Sequence, residues 1–196
     1  IITIMPNWCS TAYAIDGDAK EVRQLYELMK GLEERDSPSV KNDFGTTWLG
    51  CLVDALGGDW KKIKCRGDWS FLELDEDDDI VRFCTETAWY PCNEVLEFVC
   101  KKFPSLNYYC QAEEPGQNIY ITNDKEGKYF YEKYLVDIYT PDKKCHYKYF
   151  SYEKEMYAWF EQTFARPIKS EEDVREFTSG WDGNAYCYIR KFELMD

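Results

Sequence analysis

IVRFCTETAWYPCNEVLEFVCKKF, residues 80–103, decides the fold. Ile80 to Trp89 reads as a strand that follows an acidic run. Pro91 then suits the first turn of a helix, where its missing N–H costs nothing. Cys92, Val95, Leu96, Val99, Cys100 and Phe103 recur at i, i+3, i+4, i+7, i+8 and i+11, which puts them on one helical face. Pro104 ends that helix. A strand running straight into an amphipathic helix is half of a β-α-β unit.

Working back from Ile80, Trp60–Cys65 and Trp69–Leu74 flank Gly67-Asp68 and read as a hairpin. Trp48–Leu56 is a short apolar segment that periodicity leaves open between strand and helix. Residues 36–47 read as a loop. Asp18-Ala19-Lys20-Glu21 has capping-box spacing, with Asp18 as N-cap and Glu21 reaching back. It opens a helix striped by Val22, Leu25, Tyr26, Leu28, Met29 and Leu32. Trp8–Ile15 is the first strand. Working forward, strands are expected at Asn107–Ala112, Asn118–Thr122, Tyr129–Tyr139, His146–Phe150 and Ala185–Leu194. A third helix starts near Ser151 and a fourth is capped by Ser170.

The first half therefore runs strand, helix, two or more strands, helix, strand. That is the split β-α-β order of a ferredoxin-like fold, an α+β class with helices on one face of an antiparallel sheet. Residues 1–122 are expected to form this core. Residues 123–196 are expected to be an α+β extension that packs on or continues the same sheet. Ile1 to Ile4 read as an extension upstream of a natural start at Met5.

Net charge is −13, and residues 66–127 carry 14 acids against 5 bases. Such a chain repels phosphate backbones, so direct nucleic-acid binding is not expected. The sharpest feature is Asp75, Glu76, Asp77, Asp78 and Asp79, a candidate patch for a basic protein partner. In a calcium-loop frame Asp75, Asp77, Asp79 and Glu86 fill ligand positions, but Ile80 stands where the turn needs glycine. A solvated turn is the expected reading, with no metal.

Aromatics make up 17% of residues, which suits a pleated, half-buried sheet. The nine cysteines show no C-x-x-C spacing, and the chain holds a single histidine, His146. Reduced, mostly buried thiols are expected rather than disulfides or zinc. His146 and Cys145 are neighbours on a strand and face opposite ways, and no nucleophile-elbow serine exists, so no catalytic residues are assigned. Arg66-Gly67 before Trp69 and Phe71 matches the RNA-recognition pattern poorly. No apolar run is long enough for a membrane span, and Asp16 and Asp18 interrupt the N-terminal apolar stretch, so a cytoplasmic protein is expected.

Three aromatic-rich signatures remain: Met5-Pro6-Asn7-Trp8-Cys9-Ser10, Glu86-Thr87-Ala88-Trp89-Tyr90-Pro91, and Glu113-Glu114-Pro115-Gly116-Gln117-Asn118. Asn7, Trp8, Glu86, Trp89, Glu114 and Gly116 are the candidate binding residues. Over about residues 5–122 these segments resemble the YubB-like family, ferredoxin-like proteins encoded on plasmids and conjugative elements. The usual Trp-Ser-Pro of that family stands here as Trp89-Tyr90-Pro91. The resemblance implies no activity, no cofactor and no catalytic residue. It fits a non-enzymatic accessory protein of a mobile element whose acidic surface meets a basic protein. The alternatives are a DNA mimic that inhibits a nucleic-acid-binding protein, and a small-molecule enzyme with a cleft near Trp8, Trp89 and Glu114.

Overall fold

The computed structural model describes residues 7–75, 77 and 79–195, and it is mixed α+β. The chain divides into two compact units, residues 1–124 with 195–196, and residues 125–194.

In the first unit the order is β1 (Trp8–Asp16), α1 (Ala19–Glu33), α2 (Leu49–Ala55), β2 (Gly67–Asp75), β3 (Ile80–Ala88), α3 (Asn93–Lys102), β4 (Asn107–Glu114) and β5 (Ile119–Thr122). Within this unit the strands lie in the order β2-β3-β1-β4-β5, each paired antiparallel with its neighbour. Alternation along each strand gives the sheet two different faces. Tyr13, Ile15, Trp69, Val81, Phe83 and Cys110 point to one face. There they pack with Val22, Leu25, Met29 and Leu32 of α1 and with Val95, Leu96 and Val99 of α3. These helix residues are the ones the 3.6-residue periodicity selects.

Two local expectations are corrected and one open reading is resolved. Gly67-Asp68 is not a hairpin turn: residues 60–66 form no strand, and the hairpin is β2–β3, with Asp75 opposite Ile80. Gly67 is glycine because β3 comes too close for a side chain. An added Cβ would lie 2.2 Å from the Glu86 carbonyl oxygen. Glu21 does not reach back to its own cap either. Asp18 caps α1 by accepting from the Lys20 N–H at 3.0 Å. Glu21 instead accepts from the N–H and hydroxyl of Ser105, at 2.9 and 2.7 Å, which ties the start of α1 to the loop before β4. Trp48–Leu56 resolves as the short helix α2, with the Trp48 ring lying against Gly50.

The second unit holds β6 (Tyr134–Tyr139), β7 (Cys145–Phe150), α4 (Glu153–Phe164), α5 (Glu171–Thr178) and β8 (Tyr186–Lys191), followed by a two-residue strand β9 (Glu193–Leu194). Strands β7-β6-β8 make a three-stranded antiparallel sheet. Val136, Ile138, Phe150, Met156, Phe160, Ile168 and Val174 form its core. The strand expected over Tyr129–Tyr139 begins only at Tyr134. Ser170 accepts from the Asp173 N–H at 3.2 Å, as an N-cap should. Among the described residues no helix is long and apolar enough to cross a membrane.

Candidate functional site

The antiparallel register gathers the three signatures at one end of the first sheet. β1 starts where β3 and β4 finish, with Trp8 opposite Ala88 and Ser10 opposite Glu113. The Trp89 N–H donates to the Asn7 carbonyl at 2.9 Å. The Asn7 side chain lies over Gly116, where an added Cβ would meet its Nδ2 at 2.3 Å. Glu114 is buried and accepts from the Gly116 N–H at 2.8 Å and the Gln117 N–H at 2.6 Å. Both carboxylate oxygens thus cap the 3-10 turn Pro115–Gln117, which leaves Glu114 a positioning group for the Asn7–Trp89 junction. Met5 and Pro6 of the first signature lie outside the described residues.

Trp89 carries a backbone outlier at this junction. Its φ is +72°, the left-handed region that a bulky residue avoids at a cost of about 1–3 kcal/mol. Besides the Asn7 bond, the Thr87 hydroxyl donates to the Tyr90 carbonyl at 2.9 Å and fixes the turn. The result is a pair of partly exposed rings, Trp89 and Tyr90, held on a strained backbone.

Glu86 belongs to a different surface. It stands on the sheet face opposite the helices, in a transverse row of Asp68 on β2, Glu86 on β3, Ser10 on β1 and Glu113 on β4. Adjacent members are one strand spacing apart, about 4.8 Å. Asp68 and Glu86 are thus like charges directly opposite each other, an arrangement that destabilises a sheet. Burial, and after it the charge of Glu86, raises the Asp68 carboxyl above the usual aspartate range. Neither Asp68 nor Glu113 is among the candidate binding residues read from the sequence. The only signal is an acid recurring at matching parity on neighbouring strands, and reading it requires the register.

The acidic run lies at the other end of the same sheet, about 23 Å away along β1. Asp75 ends β2, Asp77 lies in the turn, and Asp79 pairs with Arg23 of α1 at 3.1 Å. Glu76 and Asp78 lie outside the described residues. Glu86 sits at the far end of β3 from this turn, paired with Ser10, so the calcium-loop frame that joined it to Asp75, Asp77 and Asp79 is not formed.

A cavity of about 520 Å³ opens beside Trp89, lined among others by Lys64, Arg66, Trp89, Tyr90, Glu94 and Glu97. Trp8 and Glu114 do not line it. The cleft expected near all three residues is therefore centred on Trp89 alone. Lys64 is bound to Glu94, by its ammonium at 3.0 Å and its N–H at 3.2 Å. Two thiols lie in the same wall, and burial pushes Cys65 up to about 11 and Cys92 to about 12. At neutral pH both are un-ionised, so neither is an activated nucleophile. Cys9, beneath the signature cluster, is pushed to about 11 by burial, with the charges of Glu114 and Glu86 adding to the effect.

In the second unit His146 faces the helices, its ring edge-on to Trp159 and Phe164 at 5.6 Å, while Cys145 is exposed on the opposite side of β7. His146 also lines a cavity of about 320 Å³ with Phe164, Phe177 and Trp181. The described residues contain no grouping of three His, Cys, Asp or Glu side chains suited to a metal ion. All nine thiols are free. In comparisons with protein-family models, with curated proteins and with solved structures, the chain matches none.

Proposed function

We propose that the first unit is a ferredoxin-like domain of a non-enzymatic, cytoplasmic accessory protein that binds a basic protein partner on the sheet face opposite α1 and α3. The element order β-α-β-β-α-β, with the short α2 added between α1 and β2, and the strand order β2-β3-β1-β4 support the fold assignment. The signature residues Asn7-Trp8-Cys9, Trp89-Tyr90-Pro91 and Glu113-Glu114-Pro115-Gly116 support kinship with the YubB-like proteins of plasmids and conjugative elements.

The observation that carries the binding reading is the Asp68–Glu86 pair, directly opposite each other, with Glu113 beyond Ser10 in the same row. Like charges set opposite one another on a sheet cost stability, and a lysine or arginine laid across the row removes that cost on binding. Asp75, Asp77 and Asp79 extend the same negative field along the sheet and speed the encounter. A partner that itself binds DNA would make this protein a DNA mimic, and competition with duplex DNA for that partner distinguishes this case.

The test uses Glu86→Gln and Glu113→Gln together, with a fluorescent peptide of alternating lysine and serine as probe. Binding is expected to weaken at least tenfold and to lose much of its salt dependence. The single change Glu86→Gln is expected to raise stability at pH 7 by about 0.2–1 kcal/mol, because it removes the charge opposite Asp68. The sign follows from the Asp68 shift. A carboxyl raised in the folded state destabilises the fold when ionised, so stability recovers as pH falls through its titration range. The advantage of Glu86→Gln therefore disappears below the carboxylate range. Undiminished peptide binding by the double variant would refute the reading.

A further inference from the structure

The cavity beside Trp89 has a charge pattern that the acidic-face reading does not use. Of its four charged lining residues, Lys64 and Glu94 neutralise each other. Arg66 and Glu97 remain, one from the segment before β2 and the other from α3. Neither takes part in an ion pair among the described residues. Apart from Asn93, the rest of the wall is aromatic, apolar or thiol, with Trp89, Tyr90 and Pro91 on the β3–α3 connection. A volume of about 520 Å³ falls within the range of small-molecule sites.

We propose that this cavity binds a small zwitterion with a flat apolar body, of the class of aromatic α-amino acids. The carboxylate pairs with the Arg66 guanidinium, whose planar fork matches it. The ammonium pairs with Glu97. The ring packs against Trp89 and Tyr90. A simple anion is disfavoured because Glu97 and the net charge of −13 oppose it. A simple cation leaves Arg66 uncompensated beside it. Only a ligand carrying both charges answers both unpaired groups.

The backbone supports this assignment independently of the charges. Trp89 is held at φ +72° by its bond to Asn7, and Tyr90 is held through Thr87. Strain maintained by two hydrogen bonds, one from each side, presents rings to a ligand and is not needed to fill a core. On the other wall, Gly67 permits the close approach that brings Arg66 alongside Ala88, whose N–H donates to the Arg66 carbonyl at 3.0 Å.

Calorimetric titration with three probes tests the proposal: L-phenylalanine, 3-phenylpropionate, which lacks the amine, and phenethylamine, which lacks the carboxylate. L-Phenylalanine is expected to bind at least tenfold tighter than either analogue. Arg66→Met should erase its advantage over phenethylamine, and Glu97→Gln its advantage over 3-phenylpropionate. Both side chains are exposed, so both variants should fold, as a circular dichroism melt checks. No binding of any probe, an analogue binding as tightly as L-phenylalanine, or undiminished L-phenylalanine binding by Arg66→Met would each overturn it. The acidic row is unaltered in both variants, so the outcome is independent of the basic-partner reading.

Discussion

Trp69→Ala is expected to lower stability by about 4 kcal/mol, the largest loss from any single side-chain truncation in the first unit. Trp69 is 1% exposed, and it packs on the face of β2 that α1 covers. Its indole N–H donates to Glu33 near the end of α1 at 3.1 Å, so the ring both fills the core and fastens the helix to the sheet. Truncation leaves a cavity between backbone elements that are hydrogen-bonded on both sides, with Trp69 opposite Thr85 and its N–H bound to the Thr47 carbonyl at 3.1 Å. Such a site collapses poorly, which places it at the upper end of large-to-small losses. Glu33 keeps its ion pair with Lys30, so the broken indole bond adds little to the loss. Trp69→Phe should lose roughly half as much. A urea titration with unchanged m-value measures both. A loss below about 1 kcal/mol for the alanine variant would mean that the ring is not in the core.

Gly67→Ala is expected to cost about 3 kcal/mol although it adds a single methyl group. The new Cβ would stand 2.2 Å from the Glu86 carbonyl oxygen and 2.8 Å from the Thr87 Cα, atoms of a strand paired on both sides. Backbone held in that way cannot give way as a side chain can. Gly31 provides the contrast. It lies within α1, nothing falls within 4 Å of its added Cβ, and Gly31→Ala should raise stability by about 0.5–1 kcal/mol through helix propensity alone. Gly67→Ala has functional consequences as well, because Arg66 and Asp68 flank it. Parting β2 from β3 there moves the cavity wall and breaks the acidic row together. Urea midpoints in the order Gly31→Ala, unaltered protein, Gly67→Ala are the expected result. A Gly67→Ala variant as stable as the unaltered protein would show that β2 is not pressed against β3 at this point.

Gly67 also shows where reading the sequence stops. Gly-Asp between two apolar runs is a turn signal, and the chain uses the same letters for close packing of strands. The real turn falls in the acidic run, which reads as a solvated turn from its aspartates, residues that favour turns as glycine does. The helices were legible because burial follows a period: Val22, Leu25, Met29 and Leu32 in α1, and Val95, Leu96 and Val99 in α3, are the buried stripe. Glu21 is the exception, since its partner Ser105 is 84 residues distant and no local rule reaches it. Trp48–Leu56 was too short for periodicity to decide, and its contacts made it α2.

The candidate site divides in the same way. Asn7, Trp89, Glu114 and Gly116 were singled out as three separate signatures, and antiparallel register joins them. Glu114 turned from a candidate ligand into a cap because its two acceptors meet two backbone donors within three residues, a contact that composition does not disclose. Asp68 and Glu113 are not candidate binding residues on the sequence alone, because a transverse row exists only when strands far apart in sequence are set side by side. The acidic run, conspicuous in the sequence, has Asp79 tied to Arg23, while the quieter row lies on the sheet face opposite the helices.

The most direct measurement is a backbone amide NMR titration of the ¹⁵N-labelled protein with the alternating lysine–serine peptide. The account predicts that the largest shifts fall on Ser10, Asp68, Glu86 and Glu113 and their row neighbours Ala12, Cys84 and Gln111, and that they fade with added salt. Shifts centred on the helices, shifts confined to the turn around Asp77, or a spectrum that does not respond would contradict it.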